Sequence, residues 1–101
     1  MTGAYSLTLQ AQRDIEDIWR FIAADNPAAA DRVETALYDA FAMLAGNPHL
    51  GHKRDDLTRK PVRFWCVHSY LVIYDPRAVP LHILRILSGY RDIGAILEGG
   101  P

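Results

Sequence analysis

The spacing of hydrophobic residues changes along the chain, and each change marks a predicted element. Tyr5 to Leu7 is a short β-like run. After it, apolar residues recur at intervals of three and four, the spacing of one helix face: Ile15, Ile18, Trp19 and Ile22. Thr8 suits the N-cap, because its hydroxyl can accept a hydrogen bond from a free N–H of the first turn. These features predict an amphipathic helix that ends near Asp25.

A second helix is predicted directly afterwards. Asn26 suits its N-cap, and Pro27 suits the first helical position, where a backbone donor has no helical partner. Its apolar face consists of Val33, Leu37, Ala40, Phe41 and Leu44. Gly46 is the expected stop, with Pro48 just beyond it. Because so few residues separate the two helices, they are predicted to form an antiparallel hairpin.

The second half of the chain has β-type patterns. Val62 to Val67 alternates, and His68-Ser69 is the predicted turn. Tyr70 to Tyr74 is almost continuously apolar, which is typical of a central strand buried on both faces. Leu81 to Leu87 is the predicted last strand, and Asp92 to Leu97 is a predicted helical turn.

The order β-α-α-β-β-β predicts an α+β fold with the helical hairpin packed on one face of a small antiparallel sheet. The first strand is expected at a sheet edge, and no element is predicted to cover the second face. A length of 101 residues predicts a single domain over residues 1–101.

Composition and charge narrow the functional classes. Residues 1–46 carry three Arg and seven Asp/Glu, whereas residues 47–101 carry eight Lys/Arg and five Asp/Glu. The two halves are therefore expected to present different faces. Cys66 is the single cysteine, predicted as a small core residue, so no intramolecular disulfide is expected. We expect a cytoplasmic protein, because the chain has no pattern of a secretion signal or of a membrane span.

The predicted loop from Asn47 to Lys60 is basic and exposed. Its cations are Lys53, Arg54, Arg59 and Lys60, interrupted by Asp55 and Asp56. Four cations interrupted by two aspartates give a weak positive potential. The sequence therefore leaves open whether the loop contacts nucleic acid, contacts an acidic protein segment or is simply solvated. His49 and His52 have the spacing of metal ligands, but no Cys or third His is near them in sequence. No metal and no cofactor are expected.

An ordered set of short motifs resembles the ParE toxins of the RelE/ParE superfamily, the toxin half of bacterial type II toxin–antitoxin pairs. The matching segments are Tyr5 to Thr8, Asp14 to Trp19, Phe21 to Ala23, Asn26-Pro27 with Ala29-Ala30, Phe41 with Leu44, Gly51 to Leu57, Pro61 to Trp65, Tyr70 to Tyr74, Arg85 to Leu87, Gly89, and Arg91 to Ile93. The resemblance covers nearly the whole chain. It implies a RelE/ParE-like fold, a cognate ParD-like antitoxin and, as for many ParE members, inhibition of DNA gyrase.

The resemblance also raises a competing activity. The RelE branch cleaves messenger RNA on the ribosome, which requires a base, an acid and cations for the phosphorane charge. In that branch a basic residue follows the aromatic at the start of the central strand, where this chain has Leu71 after Tyr70. At the end of the last strand, Ser88 stands where a basic residue or an imidazole is common. We therefore predict a binding inhibitor with no catalytic residues, and keep the RelE-type endoribonuclease as the alternative.

The target-binding residues are predicted within the β region. Arg63 and Arg85 are expected to point out of the sheet and offer guanidinium forks to a partner. Trp65 shares the face of Arg63, and Trp and Arg dominate interface hot spots. Tyr90 and Arg91 complete the predicted target contact. The competing interpretation is structural: both strand arginines would pair with carboxylates such as Asp75 or Asp92, and Trp65 would pack under the C-terminal segment.

A second set of residues is predicted to bind the antitoxin: Ile15, Trp19, Ile22, Arg63 and Trp65. A disordered antitoxin tail would fold as an amphipathic helix into a groove of the hairpin, or add a strand to an open sheet edge. The default interpretation of the helical stripe is core packing. The hypothesis is thus a toxin that binds gyrase on cleaved DNA and forms a hetero-oligomer with its antitoxin. A third alternative is a chain that pairs with the antitoxin but has lost toxicity.

Overall fold

The predicted element order is confirmed. The computed structural model describes residues 4–89 and 93–99. The elements are β1 (Tyr5–Leu7), α1 (Leu9–Ala23), α2 (Pro27–Gly46), β2 (Arg63–Val67), β3 (Tyr70–Asp75), β4 (Leu81–Ser88) and α3 (Ile93–Gly99). None of the helices in these described ranges has the length and apolar character that crossing a membrane needs.

Both helix starts depend on the caps that the sequence indicates. The side-chain oxygen of Thr8 accepts from the backbone N–H of Ala11, and that of Asn26 accepts from the N–H of Ala29. Each cap satisfies a donor of the first turn that has no partner within the helix. The two helices pack against each other as the predicted hairpin.

The four strands form one sheet in the order β1-β4-β3-β2. β3 is central, with antiparallel partners on both sides, and β1 lies at an edge, as predicted. β1 pairs with β4 in parallel, with Tyr5 opposite Leu81, so the sheet is mixed and not purely antiparallel. A register shift between Ile73 and Tyr74 breaks the β3–β4 pairing.

The helices cover one face of the sheet and complete the larger core. Leu37, Phe41 and Leu44 of α2 are fully buried there. They join the buried side chains Val72, Tyr74, Ile83 and Ile86 of the sheet in one cluster. Since the apolar face of α2 has the helical spacing seen in the sequence, its burial follows from the pattern alone.

The prediction that nothing covers the second face is wrong. Ile93 of α3 is buried, and Ile96 and Leu97 pack beside it. They contact a second cluster formed by Val62, Phe64, Ile73 and Leu87, with Leu57 of the preceding loop at its margin. The apolar residues of α3 therefore cover the second face of the sheet, although the helix has only seven residues.

Cys66 is also placed differently from the prediction. Its side chain is exposed, and its Sγ donates to the carbonyl oxygen of His68 at 3.4 Å. The residue lies at the turn end of β2, two positions before His68. Its neighbour Val67 faces the helices and is buried instead.

Candidate functional site

The candidate site is a groove between α1 and the adjoining ends of β3 and β4. Its volume is about 340 Å³. Its walls are Asp14, Asp17, Ile18, Phe21, Tyr70, Ile86 and Ser88. We call it the α1 groove. Phe21 is 78% exposed at its margin, so the groove combines apolar surface with two carboxylates.

The edge of β4 explains one of those carboxylates. β1 pairs with β4 only as far as Ile83, so the next backbone groups of β4 lack a strand partner on that side. Asp14 accepts from the N–H of Ile86 at 3.0 Å, and the Thr8 hydroxyl donates to the carbonyl of Leu84 at 2.7 Å. α1 thus completes the hydrogen bonding of β4 where β1 ends.

Arg85 meets the same carboxylate and does not point freely outward, as the sequence hypothesis expected. Its Nε and Nη2 donate to the two oxygens of Asp14 at 2.7 and 3.0 Å. This bidentate contact raises the pKa of the Arg85 guanidinium. The competing interpretation, in which Arg85 pairs with a carboxylate of its own chain, is therefore correct. The partner is Asp14 on α1 and not Asp75.

Arg63 and Trp65 also turn differently from the prediction. Both lie on the side of the sheet that the helices cover: Arg63 pairs across the strands with Tyr74, and Trp65 packs against the helix-facing core. Nη1 of Arg63 donates to the carbonyl of Gly51 at 2.8 Å, and the Trp65 ring stacks on His52. The predicted alternation of side chains along β2 is confirmed. The prediction that Arg63 and Trp65 lie on the open face of the sheet is wrong, because the helical hairpin covers their face and α3 covers the other.

The stripe predicted to bind the antitoxin divides between core and surface. Ile15 is 4% exposed and belongs to the core, while Trp19 and Ile22 are half-buried. The indole N–H of Trp19 donates to Asp31 of α2 at 2.9 Å, which fixes the ring between the helices. A second groove of about 390 Å³ opens there. Its lining comprises Gln12, Ile15, Glu16, Trp19, Arg20, Glu34 and Tyr38.

The remaining residues are the two other predicted gyrase contacts and the positions that were compared with the RelE branch. Tyr90 and Arg91 lie outside the described residues. Leu71 is half-buried and packs against the α3-facing cluster, whereas Tyr70 and Ser88 pair across β3 and β4 and line the α1 groove. Of the described residues that line this groove, none is a Lys, Arg or His.

Within the described part of the chain, no three His, Cys, Asp or Glu side chains lie close enough together to hold a metal ion. His52 forms an isolated β-bridge with Phe64 and stacks on Trp65, so its position has a structural explanation.

The basic loop uses several of its charges internally. Arg54 pairs with Asp56 through two hydrogen bonds, which lowers the pKa of the Asp56 carboxyl. The Lys60 ammonium donates to the carbonyl of Leu97 in α3 at 2.6 Å. The ion pair with Asp56 therefore offsets one of the four cations of this loop.

Sequence patterns missed two residues of the α1 groove. Asp14 falls on the polar side of the helical pattern that predicts α1, although its side chain is buried against β4. Phe21 stands next to the predicted stripe but was not assigned to the site. A large apolar residue that is off the helical stripe is a signal for a binding surface, and this signal was available in the sequence.

Comparison with protein families decides the identity of this fold. The model of the ParE toxin of the type II toxin–antitoxin system parDE matches residues 5–93. The chain belongs to the ParE toxin family. The family assignment from the sequence motifs is thereby confirmed, and the toxin–antitoxin system with it.

Among solved structures, this ParE toxin is similar to a chain of the chromosomal ParDE toxin–antitoxin system from P. aeruginosa. The TM-score is 0.69 at 16% sequence identity, and the match covers 86% of this chain and 96% of the other. At that identity the likeness establishes the ParE-like fold. Comparison with curated protein sequences gives no match.

Proposed function

We propose that this ParE toxin inhibits DNA gyrase by binding it on cleaved DNA, and that a ParD-like antitoxin neutralises it in a cytoplasmic hetero-oligomer. The observation that carries the proposal is the family match over residues 5–93. Gyrase inhibition is what the resemblance implies for many members of this family. An antitoxin partner follows from the type II system to which the family belongs.

The composition of the α1 groove supports binding over RNA cleavage. Phosphorane-like charge in a transition state requires cations close to the reacting phosphate. The described walls of this groove present Asp14 and Asp17, both acidic, and no basic side chain. Arg85, the nearest cation along β4, is held by Asp14. We therefore propose no catalytic residue here.

The antitoxin is proposed to occupy the α1 groove. Ile18, Phe21 and Ile86 offer an apolar strip. Asp17 gives one wall a negative charge, whereas the charge of Asp14 is offset by Arg85. An amphipathic helix with apolar residues along one face and a basic flank has the matching chemistry. Trp19 extends the surface into the second groove along α1, and Ile15 supports it from the core. Ile22 keeps its place as a prediction for this role.

The proposed gyrase contact contains fewer residues than the set predicted from the sequence. Trp65 and Arg63 keep a place in it, since both are half-buried and not fully covered. Tyr90 and Arg91 keep their place as predictions. Arg85 is withdrawn because Asp14 engages both ends of its fork.

Trapping of gyrase on cleaved DNA provides the test. Purified toxin is incubated with gyrase and supercoiled plasmid, and the protein is then denatured and digested. The proposal predicts that linear plasmid accumulates with increasing toxin. Primer extension on translated messages, run in parallel, is expected to show no new ends. Toxin-dependent message cuts without linear plasmid would instead support the RelE-type alternative.

A further inference from the structure

A small basic pocket lies where the loop before β2 meets the turn after β3. Its charged walls are Lys53, Arg63 and Arg77, with His49 beside them, and its volume is about 160 Å³. None of these residues lines the α1 groove. Among the described residues that line the pocket, none is acidic, so cations and apolar side chains form its surface.

Arg63 is the fixed element of this pocket. Its Nη1 donates to the carbonyl of Gly51, which holds the guanidinium against the loop. Its Nε is buried and has no hydrogen-bond partner among the described residues. A guanidinium whose Nε has no acceptor is incompletely satisfied, so an oxyanion beside the guanidinium in the pocket gains a charge-assisted interaction.

The other cations are available to the same ligand. Lys53 is exposed and forms no ion pair within the described residues. Arg77 pairs with Asp75 through Nε and Nη2, and its side chain is 66% exposed at the mouth of the pocket. Because Asp75 offsets only one of the three positive charges, the pocket keeps a net positive potential.

Size and walls point to the class of ligand. A pocket of about 160 Å³ admits one oxyanion with a short apolar stem. Pro61, Val62 and Pro76 supply apolar walls for that stem. A nucleic-acid backbone would need a row of cations. In the neighbouring loop, Arg54 forms an ion pair with Asp56, so the loop does not continue the pocket as a row of free cations.

We infer that this pocket binds the carboxylate of an Asp or Glu side chain from an acidic segment of a protein partner. The guanidinium of Arg63 and the ammonium of Lys53 hold the two oxygens, and the proline and valine walls contact the methylene groups. The inference goes beyond the proposed function, because the ligand chemistry of the pocket is the same whether or not gyrase is the target.

NMR of the isolated full chain tests the inference, because Arg63 lines the pocket and its Nε–H signal responds to a change at the guanidinium. Three probes are titrated at constant ionic strength: a hexaglutamate peptide, inorganic phosphate and single-stranded oligothymidylate. The expected result is a saturable shift of the Arg63 signal with hexaglutamate, at a lower concentration than with either phosphate probe. The protein is used without gyrase, so this result is independent of the gyrase test.

Two matched variants complete the experiment. Lys53→Gln is expected to weaken hexaglutamate binding about three- to tenfold, the range for loss of one charged contact. Arg59→Gln removes a cation from the same loop that does not line the pocket, and it is expected to leave binding unchanged. An unmoved Arg63 signal, equal weakening in both variants, or tighter binding of inorganic phosphate or oligothymidylate would overturn the inference.

Discussion

The phenol of Tyr74 organises the loop that precedes β2. Its hydroxyl donates to the carbonyl of Pro48 at 2.7 Å and accepts from the N–H of Gly51 at 2.8 Å. Gly51 lies so close that a Cβ there would be 2.8 Å from Cε1 of Tyr74 and 3.0 Å from the carbonyl oxygen of Phe64. Only glycine permits this approach without a shift of the buried ring.

Replacing Tyr74 by phenylalanine is expected to lower the free energy of unfolding by about 1–3 kcal/mol, because the buried N–H of Gly51 loses its acceptor. Urea denaturation of both proteins at neutral pH measures the difference. An unchanged midpoint would contradict the structural role of the hydroxyl.

The same pair of proteins has a predicted pH dependence. Burial raises the pKa of Tyr74 above its ordinary value of 10.0, so the folded state favours the neutral phenol. The contribution of the phenol is therefore complete below pH 10 and is lost as the pH rises through the folded-state pKa. The stability gap between wild type and Tyr74→Phe should narrow above pH 10. A gap that widens there would contradict this assignment.

At the scale of elements, α1 acts both as a layer of the core and as a substitute for a missing strand. The carboxylate of Asp14 holds the edge of β4 and neutralises Arg85. Thr8 contributes from the N-cap, so the start of the helix is fixed by the same strand that the helix covers.

Removal of this carboxylate is expected to be costly. Asp14→Ala leaves the guanidinium of Arg85 and the N–H of Ile86 without their acceptor, and should lower the free energy of unfolding by about 2–4 kcal/mol. Asp17→Ala, at an exposed position on the same helix, is the control and should stay within about 0.5 kcal/mol of wild type. Equal losses in the two variants, measured by urea denaturation, would refute the special role of Asp14.

Elements were more predictable from the sequence than contacts. Both caps, the helical hairpin and the central position of β3 followed from local patterns, since capping and periodicity act within a few residues. The parallel pairing of β1 with β4 joins segments that are distant in sequence. The Asp14–Arg85 pair likewise depends on that register, so a position that looks solvated on a helical wheel is buried in the fold. The prediction of where Arg63 points was wrong for a related reason, because it depends on which face of the sheet each helix covers.

At the scale of the whole molecule, two of the concave surfaces of this ParE toxin differ in charge. The α1 groove is apolar and acidic, whereas the pocket around Arg63 is small and basic. Separate surfaces of opposite charge allow one small domain to contact an antitoxin and a target with different chemistry.

The exposed ring of Phe21 tests the antitoxin surface. Phe21→Asp is expected to weaken binding of the antitoxin encoded beside the toxin gene by about tenfold to a hundredfold, as for loss of an aromatic anchor. Val79→Asp is the control, because Val79 is 96% exposed and lies outside the α1 groove. Isothermal titration calorimetry measures both. Equal affinity of the Phe21→Asp and Val79→Asp proteins would place the antitoxin elsewhere.

The supercoiling activity of gyrase tests the central proposal most directly. Relaxed plasmid is incubated with gyrase and ATP at increasing toxin concentration, with and without an equimolar amount of the antitoxin. We predict that the toxin stops supercoiling in proportion to its concentration and that the antitoxin restores it. Supercoiling that continues unchanged at a high excess of folded toxin would contradict the proposal that this ParE toxin acts on gyrase.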